Sequence, residues 1–183
     1  IELKELSLVI DWLEGTHLPI DFSQLSIIGH SRGGGIALLG TARDQRIQKT
    51  ITWASVSDFS TRFPLDNSQW KSSGVYHVYN SRTKQMMPLY YQFYESFVDN
   101  KEILDLPTQC KNINQEVLIV HGEQDQAVSF SEAEFLNQII PFSFLHLIKN
   151  TGHTFGASHP YKLSHIPRGL KIAMDVSVKF LLE

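Results

Sequence analysis

Apolar residues recur along this chain at two spacings, and the alternation between them predicts its elements. Over residues 1–14, Leu3, Leu6, Val9, Ile10 and Leu13 fall three and four apart, as on a helix with one buried stripe, and Gly15 is a natural stop. Ser23–Ile28, ending in Leu25, Ile27 and Ile28, reads instead as a buried strand, followed by a helix from Ser31 through about Ala42. Lys49–Ser55, with Ile51 and Trp53, is a second strand, and Glu116–Val120 and Ser143–Ile148 are two more. A helix over about Ser131–Ile140 starts where Ser131 and Glu134 fit a capping box, and an amphipathic helix over Pro167–Leu182 has proline at a tolerated first-turn position.

Strands alternating with helices predict an α/β fold with a mainly parallel sheet flanked by helices. The rhythm breaks between Phe59 and about Pro107, where Phe63, Trp70, Tyr76, Tyr79, Tyr90, Tyr91, Phe93, Tyr94 and Phe97 cluster. Within it Val75–Asn80 alternates like a strand, residues 81–84 can turn the chain back towards Met86, and Leu89–Val98 reads as helical. The expectation is a single domain over residues 1–183. It carries a small cap-like insertion at about 59–107, over the strand ends where ligands bind in open α/β sheets.

Composition narrows the function. A formal net charge of −3 with no basic run speaks against nucleic-acid binding, which needs clustered Lys and Arg to neutralise phosphates. No apolar stretch approaches the roughly 18 residues of a membrane-spanning helix, so no membrane partner is expected. The single cysteine, Cys110, cannot form an internal disulfide and reads as an inert thiol, and a cytoplasmic location is the expectation.

The chemistry concentrates in three short segments. Gly29-His30-Ser31-Arg32-Gly33 fits G-x-S-x-G, which holds a serine on a sharp turn between a strand and a helix. Gly29 and Gly33 are expected to clear the close approach of the two backbones. A serine hydroxyl is a weak nucleophile and needs a base, usually a histidine oriented by a carboxylate. His121-Gly122-Glu123-Gln124-Asp125 offers an acid just past one strand, and Gly152-His153 a histidine just past the next. The chain order is therefore Ser31, Asp125, His153.

These segments resemble those of the α/β-hydrolases, over the part of that fold that runs from the nucleophile strand to the last helix. They look most like its dienelactone-hydrolase and prolyl-oligopeptidase-like branch, in which an H-G-x-x-D loop carries the acid. The resemblance implies Ser31 as nucleophile, His153 as base, Asp125 as the group that orients it, and the Arg32 backbone N–H as an oxyanion-hole donor. It implies a serine esterase cleaving a small-molecule ester or short acyl substrate through an acyl-enzyme, with no cofactor.

Blander readings stand beside these. Ser31 can be a helix cap, Asp125 a turn residue with Glu123 as its rival for the acid, and His153 a structural loop histidine. His30 is expected to pack beneath the turn, and His121 to hydrogen-bond within its own loop. His30, Trp70, Tyr76 and Tyr90 are candidate substrate contacts, although aromatic runs are more often packing. Arg62 and Arg82 can face a substrate carboxylate but read first as solvated surface. His153, His159 and His165 are evenly spaced yet lack the pairing of a zinc site, so no metal is expected.

The resemblance also implies strands before Leu25 that the sequence does not contain, one of whose loops carries a second oxyanion donor. The expectation is that an N-terminal portion is absent, which leaves the nucleophile strand at an edge that self-association can cover. Removing one oxyanion donor typically costs ~10²–10³ in turnover. Two other functions stay open: a prolyl-oligopeptidase-type peptidase, and a non-catalytic binding module or inactive fragment on a hydrolase scaffold.

Overall fold

A computed structural model of the chain describes residues 2–80, 83–162 and 164–183. In chain order the elements are α1 (Glu2–Glu14), β1 (Ser26–His30), α2 (Arg32–Thr41), β2 (Lys49–Trp53), α3 (Ser68–Ser73), β3 (Val75–Asn80), β4 (Gln85–Tyr90), α4 (Gln92–Asp99), α5 (Leu106–Cys110), β5 (Glu116–Gly122), α6 (Phe130–Ile139), β6 (Ser143–Ile148) and α7 (Arg168–Leu182). They fall into two compact units, one made of Ile1–Ser57 with Leu106–Glu183 and the other of Asp58–Asp105.

The larger unit is built on a four-stranded sheet of order β1-β2-β5-β6, with every neighbouring pair parallel. Apolar residues fill β5 because both of its faces are covered, and six of its seven residues are buried. On one face Ile51, Leu118, Val120 and Ile148 pack with Phe155 and with Ala173 and Phe180 of α7. Each such side chain taken from water contributes about 1.5–3 kcal/mol. Along the sheet His30 pairs with Trp53, Trp53 with Val120, and Val120 with His146. Parallel strands in this register send the loops after β1, β5 and β6 out of the same end of the sheet.

Several boundaries differ from the sequence reading, each for a local reason. The Asp21 carboxylate accepts from Ser23 N (2.9 Å) and Ser23 Oγ (2.6 Å), which winds Phe22–Gln24 into a single 3₁₀ turn, so β1 starts at Ser26. β2 stops at Trp53 because Ala54 turns to φ 48°. The cap of α6 is Ser129 rather than Ser131, since Ser129 is extended and its hydroxyl accepts from Ser131 N. Pro167 is likewise the residue that caps α7, not part of its first turn. β5 runs on through His121 and Gly122.

In the smaller unit β3 and β4 pair antiparallel, from Val75 opposite Tyr90 to Asn80 opposite Gln85. Leu89 and Tyr90 thus belong to β4, and the helix predicted from Leu89 begins at Gln92. An isolated two-stranded ribbon is marginal in water, and aromatic packing supports this one. Trp70 donates from its indole nitrogen to Leu89 O (2.9 Å) and lies against Tyr76, Tyr91 and Tyr94. Phe63 meets Trp70, Phe93, Tyr94 and Phe97. The turn predicted over residues 81–84 includes Ser81 and Arg82, which lie outside the described residues.

Candidate active site

Ser31 stands at the corner between β1 and α2, with φ 57° and ψ −123°. A non-glycine residue in such a conformation costs of order 1–3 kcal/mol and persists only where its surroundings hold it. Here Ser31 N donates to Trp53 O (2.8 Å), and Ser31 O accepts from Gly34 N (3.0 Å) and Val56 N (3.3 Å). Gly29 makes the corner possible, because a Cβ there would lie 2.2 Å from the carbonyl oxygen of Gly33. The two motif glycines are not equivalent. A Cβ on Gly33 would meet nothing within 4 Å, so the expectation that Gly33 also clears space is corrected: its backbone is what crowds Gly29.

The loops after β5 and β6 are stitched together by their backbones. Glu123 N donates to Ile148 O (3.1 Å) and Gln124 N to Thr151 O (2.9 Å). A Cβ on Gly122 would lie 2.2 Å from Thr151 O, so that contact needs glycine. The stitching brings Asp125 and His153 together. His153 Nδ1 donates to Asp125 Oδ2 at 2.8 Å, which leaves the Nε2 of a neutral ring to accept from Ser31 Oγ at 3.1 Å. Asp125, not its rival Glu123, is the acid in this series.

Asp125 is buried, and its second oxygen accepts from Ala127 N (2.8 Å) and Val128 N (2.9 Å). Burial alone would push this carboxyl up. The N–H of Val128, the His153 ring and the N–H of Ala127 together outweigh burial and hold it below its ordinary value. A charged carboxylate therefore faces His153, whose ring is half-buried beside the serine.

His30 does not pack beneath the turn as expected. Its side chain is exposed, its ring lies 4.8 Å from that of His153, and its Nε2 donates to His153 O at 2.9 Å. Its position beside Ser31 was the available signal, but adjacency does not say on which side of the corner the ring falls. His121 is fully buried and donates from Nε2 to Val128 O (2.9 Å), within the loop that carries Asp125. Arg32 is the first residue of α2, so its backbone N–H belongs to the helix's N-terminal turn beside Ser31, while its Nε donates to Glu2 Oε1 (2.9 Å).

Trp70, Tyr76 and Tyr90 belong to the smaller unit, Trp70 packed among its aromatics and the two tyrosines exposed. Arg62 ends a short 3₁₀ turn there, and Arg82 lies outside the described residues. Cys110 is buried at the end of α5. Among the described residues no three His, Cys, Asp or Glu side chains are grouped to hold a metal ion, and no helix is long and apolar enough to cross a membrane.

A serine at a strand–helix corner above a parallel sheet, with acid and histidine on the next two strand ends, is the arrangement of the α/β-hydrolase fold, and the chain has that fold. It superposes on Est1E from Butyrivibrio proteoclasticus, solved with ferulic acid bound, with a TM-score of 0.73 and 17% identity, covering 98% of this chain and 66% of that one. The esterase domain of a Rhodothermus marinus protein gives a TM-score of 0.65 and 19% identity over 98% of this chain and 68% of that one. In sequence the chain is 27% identical to the human serine hydrolase BPHL over 150 residues, 73% of this chain. It spans about half the length of that curated relative (50%). No family model matches the chain.

Proposed function

We propose that the chain is the catalytic part of a serine hydrolase that cleaves a carboxylic ester through an acyl-enzyme. The observation that carries this reading is the unbroken series from Ser31 Oγ through His153 to the Asp125 carboxylate, with contacts of 3.1 and 2.8 Å. The names of its relatives, a serine hydrolase and esterases, support the same chemistry.

In this mechanism Ser31 Oγ attacks the ester carbonyl carbon as its proton passes to His153 Nε2. Asp125 steadies the imidazolium that forms. The Arg32 N–H donates to the oxyanion of the tetrahedral intermediate. When the intermediate collapses, the bond to the alkoxy oxygen breaks and His153 returns the proton to the leaving alcohol. Water then attacks the acyl-enzyme by the same route, giving its proton to Nε2, and the acid leaves as Ser31 regains its hydrogen.

A fluorophosphonate probe should label the chain at Ser31, and Ser31→Ala should lose that label while keeping its far-UV spectrum. Equal labelling of the two proteins, or none of the folded parent, would overturn the reading. A panel of acyl esters set against aminoacyl anilides decides the substrate class, and faster turnover of the anilides would make it a peptidase.

A further inference from the structure

Beneath the site lies a buried titratable group that this mechanism does not use. The His121 side chain is fully buried at the end of β5. A carbonyl oxygen only accepts, so the 2.9 Å contact with Val128 O fixes the hydrogen on Nε2. That same nitrogen lies 3.3 Å from Asp125 Oδ2, the oxygen that also takes the hydrogen bond of His153, although its own hydrogen bond goes to Val128 O. The other ring nitrogen, Nδ1, is buried with no hydrogen-bond partner among the described residues.

We propose that His121 is a positioning residue of the Ser31–His153–Asp125 series, whose Nε2–H closes the Asp125–Val128 loop and whose ring nitrogen is thereby held against the carboxylate oxygen shared with His153, so that it sets how strongly His153 holds a proton. This role in catalysis rests on the serine-hydrolase reading. The electrostatics have a definite sign. The positive end of the Nε2–H dipole beside Asp125 Oδ2 offsets part of its negative charge, and a carboxylate so offset stabilises the His153 imidazolium less. His153 then stays neutral, the form a general base needs, to lower pH. Burial depresses the proton affinity of His121 itself, so the neutral tautomer is the one present. The charged and titratable groups bearing on His121 are Asp125, Glu132 of α6 and His153. Those meeting His153 are Asp125 and His30.

The test compares His121→Leu, which removes the donor, with His121→Gln, whose amide nitrogen can reach the place of Nε2, and His121→Asn, whose amide is too short. The pH titration of the His153 ring nitrogens, followed by NMR with ¹⁵N-labelled histidine, should move up by about half a pH unit or more in His121→Leu and His121→Asn, and return close to the parent in His121→Gln. If the leucine variant does not fold, the Asn–Gln pair gives the same comparison. The acid limb of Ser31 labelling against pH should follow the NMR midpoints. An unchanged His153 midpoint in folded His121→Asn, or equal shifts in the Asn and Gln variants, would overturn the proposal. Absence of labelling in the parent would instead overturn the hydrolase reading, because the NMR titration does not depend on turnover.

Discussion

Gly29 and Gly33 look interchangeable in the motif, yet they do different work. At Gly29 any side chain would run into Gly33 O at 2.2 Å, a backbone atom inside the first turn of α2 that cannot step aside alone. Gly29→Ala should therefore distort the corner and destabilise the fold by about 3 kcal/mol or more, as overpacking with backbone shifts does. Gly33→Ala meets nothing within 4 Å and replaces a helical glycine, so it should be neutral or stabilising by roughly 0.5–1 kcal/mol. Urea unfolding of the two variants checks this, and equal losses would show that the crowding at Gly29 is relieved by movement. The pattern G-x-S-x-G located the corner, but which glycine is essential depends on a backbone contact that the pattern does not encode.

Elements were legible in proportion to how much apolar surface they bury. β5 announces itself because a parallel strand covered on both faces concentrates Ile, Val and Leu, and α1 and α7 because a single buried stripe repeats over several turns. The short helices α3 and α5 escaped, since six and five residues give no period to count. The cap of α6 was misplaced because Ser129 and Ser131 are both good caps, and only backbone conformation chooses between them. One contact between elements had no local signal at all. Arg46, in the turn before β2, reaches Asp11 (2.7 Å) and Glu14 (2.6 Å) of α1 as well as Asp44 (2.6 Å). It ties α1 to a turn more than thirty residues away. Arg46→Met should lower the urea midpoint. The deficit should shrink in 1 M salt, where the parent's exposed ion pairs are already screened. A deficit independent of salt would mean that lost packing of the arginine stem, not charge, is responsible.

At the scale of the whole molecule, groups within the site and outside it make stability depend on pH in two stages. Asp125 and Asp44 are both held below their ordinary carboxylate values, Asp44 chiefly by its bond to Arg46, so each contributes stability that is present above the usual carboxylate range and lost as pH falls through the folded value. His121 acts earlier. Burial depresses its proton affinity in the folded chain, whereas the unfolded ring takes up a proton near its ordinary value of about 6.5. Between those two values the unfolded chain binds a proton that the native chain does not, and stability falls as pH falls. Unfolding free energy measured in urea from pH 8 to pH 4 should therefore begin to decline near pH 6.5, before the carboxylates titrate. In His121→Gln, which has no ring to protonate, the curve should stay level until the carboxylate range. An identical early decline in that variant would assign the loss to another histidine. A level curve would tie the acid limit of the fold to the buried imidazole beside Asp125: protonating its Nδ1 would bury a charged donor with no acceptor among the described residues, so the native state holds His121 in the neutral form.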